Sequence, residues 1–554
     1  MTQVGPKSVS VSYTDDSISS AMLKPALSSP RQPAWCWYAM VLIIAVGIGF
    51  RFWNLGLKFY WHDEALTSLS LSGYTLGQFR KQTFTGAVLA VDDLRKFQTV
   101  NHDHGIVDTV HWLIAEHTHH PPGYYVLARQ WAEWFGSQPT AMRSLPALIS
   151  LFVIPAMYWL GLELFGSRLV AGFSVALVSV SPLHVLFAQE CREYSLWTVA
   201  VLVSGAALLR AIRLGGFPAW ALYAATVGLA LYSHLLSLAV AYGQMLYTLM
   251  EERFRWSRRT AGCACALLTA GTAFLPWALA LVANARMVSG SLNWTEMDVG
   301  VLELLGRWAM QLTLVFLDLG PPTSAQFQLA VPAVLVLEAY ALYLLCRHSP
   351  RRVWLFVLTL IGFSTLALLV PDLLLGGIRS ATPRYAIPGF LGIQLAVAYL
   401  LSRQVSAGKV STRRCWSIIA ALLVGGEVIS CGVSAQAATW WNKQDCGRDL
   451  QSVSQIVNRC PGALLVTTDY YESAVGETLA LSDLLNGRVR LILASDSSQP
   501  VIPAGFKRVF VFNTSPEFLH YLAQSGQFLF RKVGDHLWIG ERYGRAARVY
   551  DRQE

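Results

Sequence analysis

The chain has 554 residues, 54% of them hydrophobic and 14% charged, with a formal net charge of +9. Soluble domains carry about 25% charged residues, so the composition excludes an ordinary soluble protein and indicates a membrane protein. The basic residues sit in short loops between apolar runs, which is a topology signal. No compact basic domain with interleaved aromatics appears, which argues against a nucleic-acid partner.

In chain order, residues 1–33 are rich in Ser and Pro without apolar periodicity and read as a disordered cytoplasmic tail. The first apolar run, Trp35 to Phe52, is long for a signal peptide and lacks a small-residue cleavage site, so it reads as an uncleaved anchor. A polar loop over 56–119 follows. The aromatic, amphipathic stretch Pro121 to Phe135 has Pro suited to a helix start and predicts an interfacial helix. Further spans, each needing about 20 residues, are predicted at 141–164, 168–187, 195–213, 218–234, 235–250, 262–283, 329–347, 353–371, 386–402 and 415–436.

With about 11 transmembrane helices and a cytoplasmic N-terminus, the arginine-rich loops at 168, 210–213, 253–259, 347–352 and 403–414 all fall on one side. The run 303–317 is then juxtamembrane or re-entrant. The loop 56–140, the turns 184–194 and 372–385, the loop 284–328 and the region 437–554 fall outside. That last region predicts a small extracytoplasmic α/β domain. Its apolar β-branched runs are Ala463–Thr468, Val489–Leu493 and Arg508–Phe512, its helical patterns lie between them, and a hairpin turns at Gly534-Asp535. Nine cysteines form no CxxC pair, and no disulfide is predicted between Cys446 and Cys460.

The chemistry-bearing residues gather at the outer edge. Trp61-His62-Asp63-Glu64 follows the first span, and its acidic pair reads equally as the first turn of a solvated helix. Six of the twelve histidines lie between 101 and 120, where His102-Asp103-His104 and Asp108 with His111 have spacing usable for a metal. Arg143, Arg192 with Tyr194, and Arg384 with Tyr385 stand at three separate outer turns against the positive-inside bias, which favours a shared anionic ligand over lipid snorkelling. His234 falls at the tip between two spans.

These pieces, in order, are His62-Asp63-Glu64, His120-Pro-Pro-Gly-Tyr124-Tyr125, Phe135-Gly136, Arg143-Ser-Leu-Pro-Ala, Ser181-Pro-Leu-His184, Gln189-Glu-Cys-Arg192-Glu-Tyr194-Ser and Arg384-Tyr385-Ala-Ile-Pro388. Together they resemble the bacterial protein O-mannosyltransferase / aminoarabinose-transferase superfamily over residues 35–440. The resemblance implies a GT-C fold over 34–436 in the bacterial plasma membrane. It implies an enzyme that moves a sugar from a polyprenyl-phosphate donor to an acceptor hydroxyl on a protein, glycolipid or polysaccharide. It further implies Asp63 as catalytic base with Glu64 beside it, and His120, Arg143, Arg192, Arg384 and Tyr385 at the donor phosphate. His62, His119, Tyr124, Tyr194 and His234 would line the pocket. A divalent metal would use His119 and Glu64, although His119 replaces the family's acidic residue.

The chemistry agrees: a carboxylate can accept the acceptor's proton and cations can stabilise a departing lipid phosphate. Two other classes remain. A transporter of lipid-linked sugars would place polar groups near mid-span, and a non-catalytic envelope scaffold would leave Asp63 without a role.

Overall fold

The computed structural model describes residues 34–542 apart from 102, 321–323, 447, 471–472, 526 and 535. The tail 1–33, His102 and the Asp535 half of the expected turn lie outside the described residues.

Every predicted span is found as helix. Six are long and apolar enough to cross a membrane: Pro139–Phe165, Tyr194–Leu214, Arg258–Ala283, Ala325–His348, Arg351–Leu375 and Val410–Gln436. A seventh is broken, Arg168–Val180 and Pro182–Ala188 being bent by 58°. Cys36–Phe52 and Phe217–Ser233 are apolar but shorter. Ser237–Glu251 and Ile387–Val405 complete the set. Tyr194–Leu214 is the most buried of the long helices, packed against Val153–Phe165 and Phe217–Ser233. The run 303–317 forms a separate helix, Val301–Leu314.

The 58° break has a local cause. Pro182 has no N–H, so the carbonyl of Val178 loses its helical partner. The buried Arg51 guanidinium supplies the missing donors, bonding the carbonyls of Val178 (3.2 Å), Ser179 and Gly47 (2.8 Å). Gly47 is required at this crossing, because a Cβ there would fall on the Ser179 carbonyl. The position of Arg51, against the charge trend in the sequence, is therefore structural.

The loop 56–119 is not irregular, as its polarity suggested. It folds into helices His62–Ser72, Leu76–Thr83, Val91–Arg95 and Ile106–Glu116 and a short strand, β1 (Val88–Ala90). The predicted interfacial helix is Gly123–Phe135. In the C-terminal region, β2 (Leu464–Thr468), β3 (Arg490–Ala494) and β4 (Arg508–Phe512) run parallel, and β5 (Phe528–Lys532) and β6 (Leu537–Arg542) form a hairpin. The sheet order is β1-β3-β2-β4-β6-β5, with β1 antiparallel to β3 and Leu89 opposite Leu491. The loop and the C-terminal region thus share one sheet. Helix Ala474–Leu484 also packs on His62–Ser72, with Gly476 directly opposite His62.

Candidate functional site

Four turns meet at the start of helix His62–Ser72: the 53–61 connection, the 117–122 turn, the 189–193 turn and the 379–386 turn. The acidic pair occupies the first turn of this helix, where its dipole favours negative charge. Successive residues on a helix point about 100° apart, so the two carboxylates face different surroundings.

Glu64 is fully buried. Its Oε1 accepts from Arg143 Nε (2.8 Å) and the Cys191 N–H (3.0 Å), and its Oε2 from an Arg143 terminal nitrogen (2.6 Å) and Lys443 Nζ (2.9 Å). Burial alone would raise its pKa, but the charges of Arg143 and Lys443 reverse this and hold it at about 2. Arg143 is equally committed. Besides Glu64 it donates to the carbonyls of Leu55, Lys58 and Phe59, leaving no face of the guanidinium for a ligand. This pair pins the chain between the first helix and the site.

Asp63 is different: its side chain is 18% exposed. His62 Nε2 lies 3.0 Å from one carboxylate oxygen and an Arg384 nitrogen 3.4 Å from the other. Arg192 reaches its backbone carbonyl (3.5 Å) and Thr67 Oγ1 (3.2 Å). Burial pushes the Asp63 pKa up, and the charges of His62 and Arg192 outweigh it, so the group stays ionised well below the usual carboxylate range.

Arg192 also donates to His120 Nε2 (3.1 Å), so the imidazole proton sits on Nδ1, which donates to Glu193 (3.1 Å). Both His120 nitrogens are thereby used, in a Glu193–His120–Arg192 chain. Arg384 has no hydrogen bond among the described residues other than that to Asp63. It stands over the rings of Trp294 (5.0 Å), Tyr385 (5.6 Å) and Trp61 (6.0 Å).

The structure therefore brings Asp63, His62, His120, Arg192, Arg384 and Tyr385 together, with Glu64 and Arg143 in a buried layer behind. His234 stacks on Trp197 at 4.0 Å and approaches the Tyr385 ring at 6.1 Å. Tyr124 is buried, its hydroxyl 3.5 Å from Cys191 Sγ, and Tyr194 is buried against Phe187.

The expected metal pair is not supported. The Glu64 oxygens are taken by cations and an N–H, whereas His119 groups with His117 and His120, their ligand atoms within 4.8 Å of one another. Burial lowers all three imidazole pKa values, His117 to about 3, so they are neutral and chemically able to bind a cation. Because His120 is bound on both sides, His117 and His119 are the pair left for one. His104 and Asp108 approach only to 3.9 Å, and neither they nor His111 join a three-ligand group among the described residues.

Sequence reasoning missed Lys443, Asn442, Glu190 and Glu193. Asn442 bonds the buried Glu190, whose pKa burial raises to about 7. Lys443 carried the same signal as Arg143, a cation on the expected outer side. Glu190 and Glu193 flank Arg192 in the quoted motif, where a buried arginine needs a counter-charge.

No protein-family description and no curated protein sequence matches the chain. Solved structures do, and what they share with this chain is the GT-C fold. ArnT from Cupriavidus metallidurans bound to undecaprenyl phosphate superposes with a TM-score of 0.55 at 13% identity, covering 93% of this chain and 99% of that one. Its apo state gives 0.53 at 14%, covering 92% and 98%. The oligosaccharyltransferase AglB from Archaeoglobus fulgidus, in complex with an inhibitory peptide and a dolichol-phosphate, gives 0.50 at 11%, covering 86% and 69%. At these identities the likeness is one of fold.

Proposed function

We propose that the protein is a membrane glycosyltransferase that moves a sugar from a polyprenyl-phosphate donor to an acceptor hydroxyl. One observation carries this reading: a part-exposed, ionised Asp63 stands within 3.4 Å of Arg384, a cation with no other hydrogen-bond partner among the described residues. The fold likeness to structures that contain undecaprenyl phosphate and dolichol-phosphate supports a donor of that class.

In the proposed reaction the acceptor oxygen attacks the anomeric carbon while its proton passes to Asp63. The bond from that carbon to the phosphate oxygen breaks, and polyprenyl phosphate leaves with the electron pair. Direct displacement inverts the anomeric centre. Arg384 and Arg192 stabilise the leaving charge, and Tyr385 lines the same side. His120, itself held by Glu193, accepts from Arg192 and keeps it in place. Glu64 and Arg143 we assign to positioning, which departs from the roles implied by the resemblance. A divalent cation held by His117 and His119 would add positive charge for the phosphate, and no proton transfer depends on it.

We further propose eleven spans with the N-terminus cytoplasmic and the sheet region extracytoplasmic. A tag at residue 554 that is labelled only from the cytoplasm would contradict this orientation. The activity is tested by giving the purified protein polyprenyl phosphate carrying radiolabelled mannose or arabinose, together with envelope protein, glycolipid and polysaccharide fractions. Label should move to one fraction with stoichiometric release of polyprenyl phosphate. Uptake of intact donor across vesicles without transfer would favour a transporter instead.

A further inference from the structure

One exposed aromatic beside Arg384, the cation that pairs with Asp63, has no part in the chemistry above. Trp294 lies on the short turn Asn293–Glu296, and 43% of it is exposed. A part-exposed indole beside that cation offers an apolar face to whatever the site holds.

Its position is built. The buried Thr295 carbonyl accepts from the Ile378 N–H (2.8 Å), and Glu296 pairs with Arg379 at 2.9 Å. Asp372 fixes the other side of that turn by accepting from the Arg379 and Ser380 N–H groups. Gly377, at φ +130°, is needed for the approach, since a Cβ there would lie 2.7 Å from the Thr295 carbonyl oxygen. The anchored turn holds the indole 5.0 Å from the Arg384 guanidinium and 6.4 Å from the Tyr385 ring.

We infer that Trp294, with Tyr385, forms a stacking platform for the ring of a sugar beside Arg384, the partner of Asp63. A sugar ring presents C–H groups on one face and hydroxyls around its rim. An indole face matches the first, while Arg384 and Asp63 match the second. Trp294 thus binds the ring and takes no part in bond making. The inference rests on the proposed transferase activity, and it holds for a donor sugar or for a sugar ring on the acceptor.

The test compares Trp294→Ala and Trp294→Phe with the unaltered full-length protein. Trp294→Ala should raise one KM roughly 5- to 10-fold with kcat little changed, and Trp294→Phe should restore most of the loss. A raised donor KM assigns the platform to the donor sugar, and a raised acceptor KM to a glycan acceptor. Inhibition by sugar-free polyprenyl phosphate should be unchanged in both variants. The inference is overturned if both KM values stay constant, or if sugar-free polyprenyl phosphate weakens equally, which would make Trp294 a support for Arg384. If the unaltered protein transfers no sugar from any donor, the transferase reading itself fails, independently of Trp294.

Discussion

Asp63 and Glu64 are neighbours in sequence and opposites in environment, because adjacent helical residues cannot share a face. Glu64 neutralises two buried cations, Arg143 and Lys443. Its pKa falls from about 4.3 in an unfolded chain to about 2 in the protein. A lowered carboxylate pKa stabilises the fold above the unfolded value. That contribution, on the order of 3 kcal/mol, is therefore fully present above about pH 5 and is lost as pH falls from about 4.5 towards 2. Glu64→Gln leaves both cations buried without a counter-charge and should cost about 3–5 kcal/mol at neutral pH. Thermal unfolding in detergent checks this, and an unshifted midpoint would contradict the structural role. The sequence placed Arg143 on the same expected outer side as this acidic pair. It did not show which carboxylate faces Arg143, since that depends on Lys443 arriving from a point 379 positions further along the chain.

At the scale of elements, the span helices were legible, because an apolar run of about 20 residues has few alternatives, but the break at Pro182 inside the expected span 168–187 was not. The helices of the 56–119 loop were not. They are short, and His62–Ser72 exposes little of an apolar stripe because its polar residues, including Thr67, Ser68 and Ser70, are buried by tertiary contact. The proline break at 182 is completed by Arg51, so Arg51→Met should strand the carbonyls of Val178 and Ser179. At about 1–3 kcal/mol for each buried unsatisfied group, the variant should lose at least about 2 kcal/mol of stability, read as a lower unfolding midpoint with donor binding retained in the folded fraction. Two of the spans also carry acidic residues. Glu338 and Glu427 are buried in Ala325–His348 and Val410–Gln436, and Glu427 has no hydrogen-bond partner among the described residues.

Across the whole molecule, the region after residue 436 is tied into the site rather than appended to it. It supplies Lys443 to Glu64, Asn442 to Glu190, and strand β3 as partner to β1 of the loop. A chain ending at residue 436 should lose transfer activity, and limited proteolysis should then cut within 84–98, where β1 has lost its partner. An active, protease-resistant truncation would contradict this coupling. The alternating strands and helices of the region were readable from their apolar runs. Its union with the loop was not, because three residues, Val88–Ala90, carry no strand signal until a neighbouring edge pairs with them.

Whether Asp63 takes the acceptor proton is read from Asp63→Asn, assayed for sugar transfer and for polyprenyl-phosphate binding on the same purified sample. The asparagine keeps the shape and removes the base. Transfer should fall by roughly 10²- to 10⁴-fold while binding of polyprenyl phosphate is kept or strengthened, because a negative charge beside Arg384 is gone. Transfer at the unaltered rate would rule out Asp63 as the base.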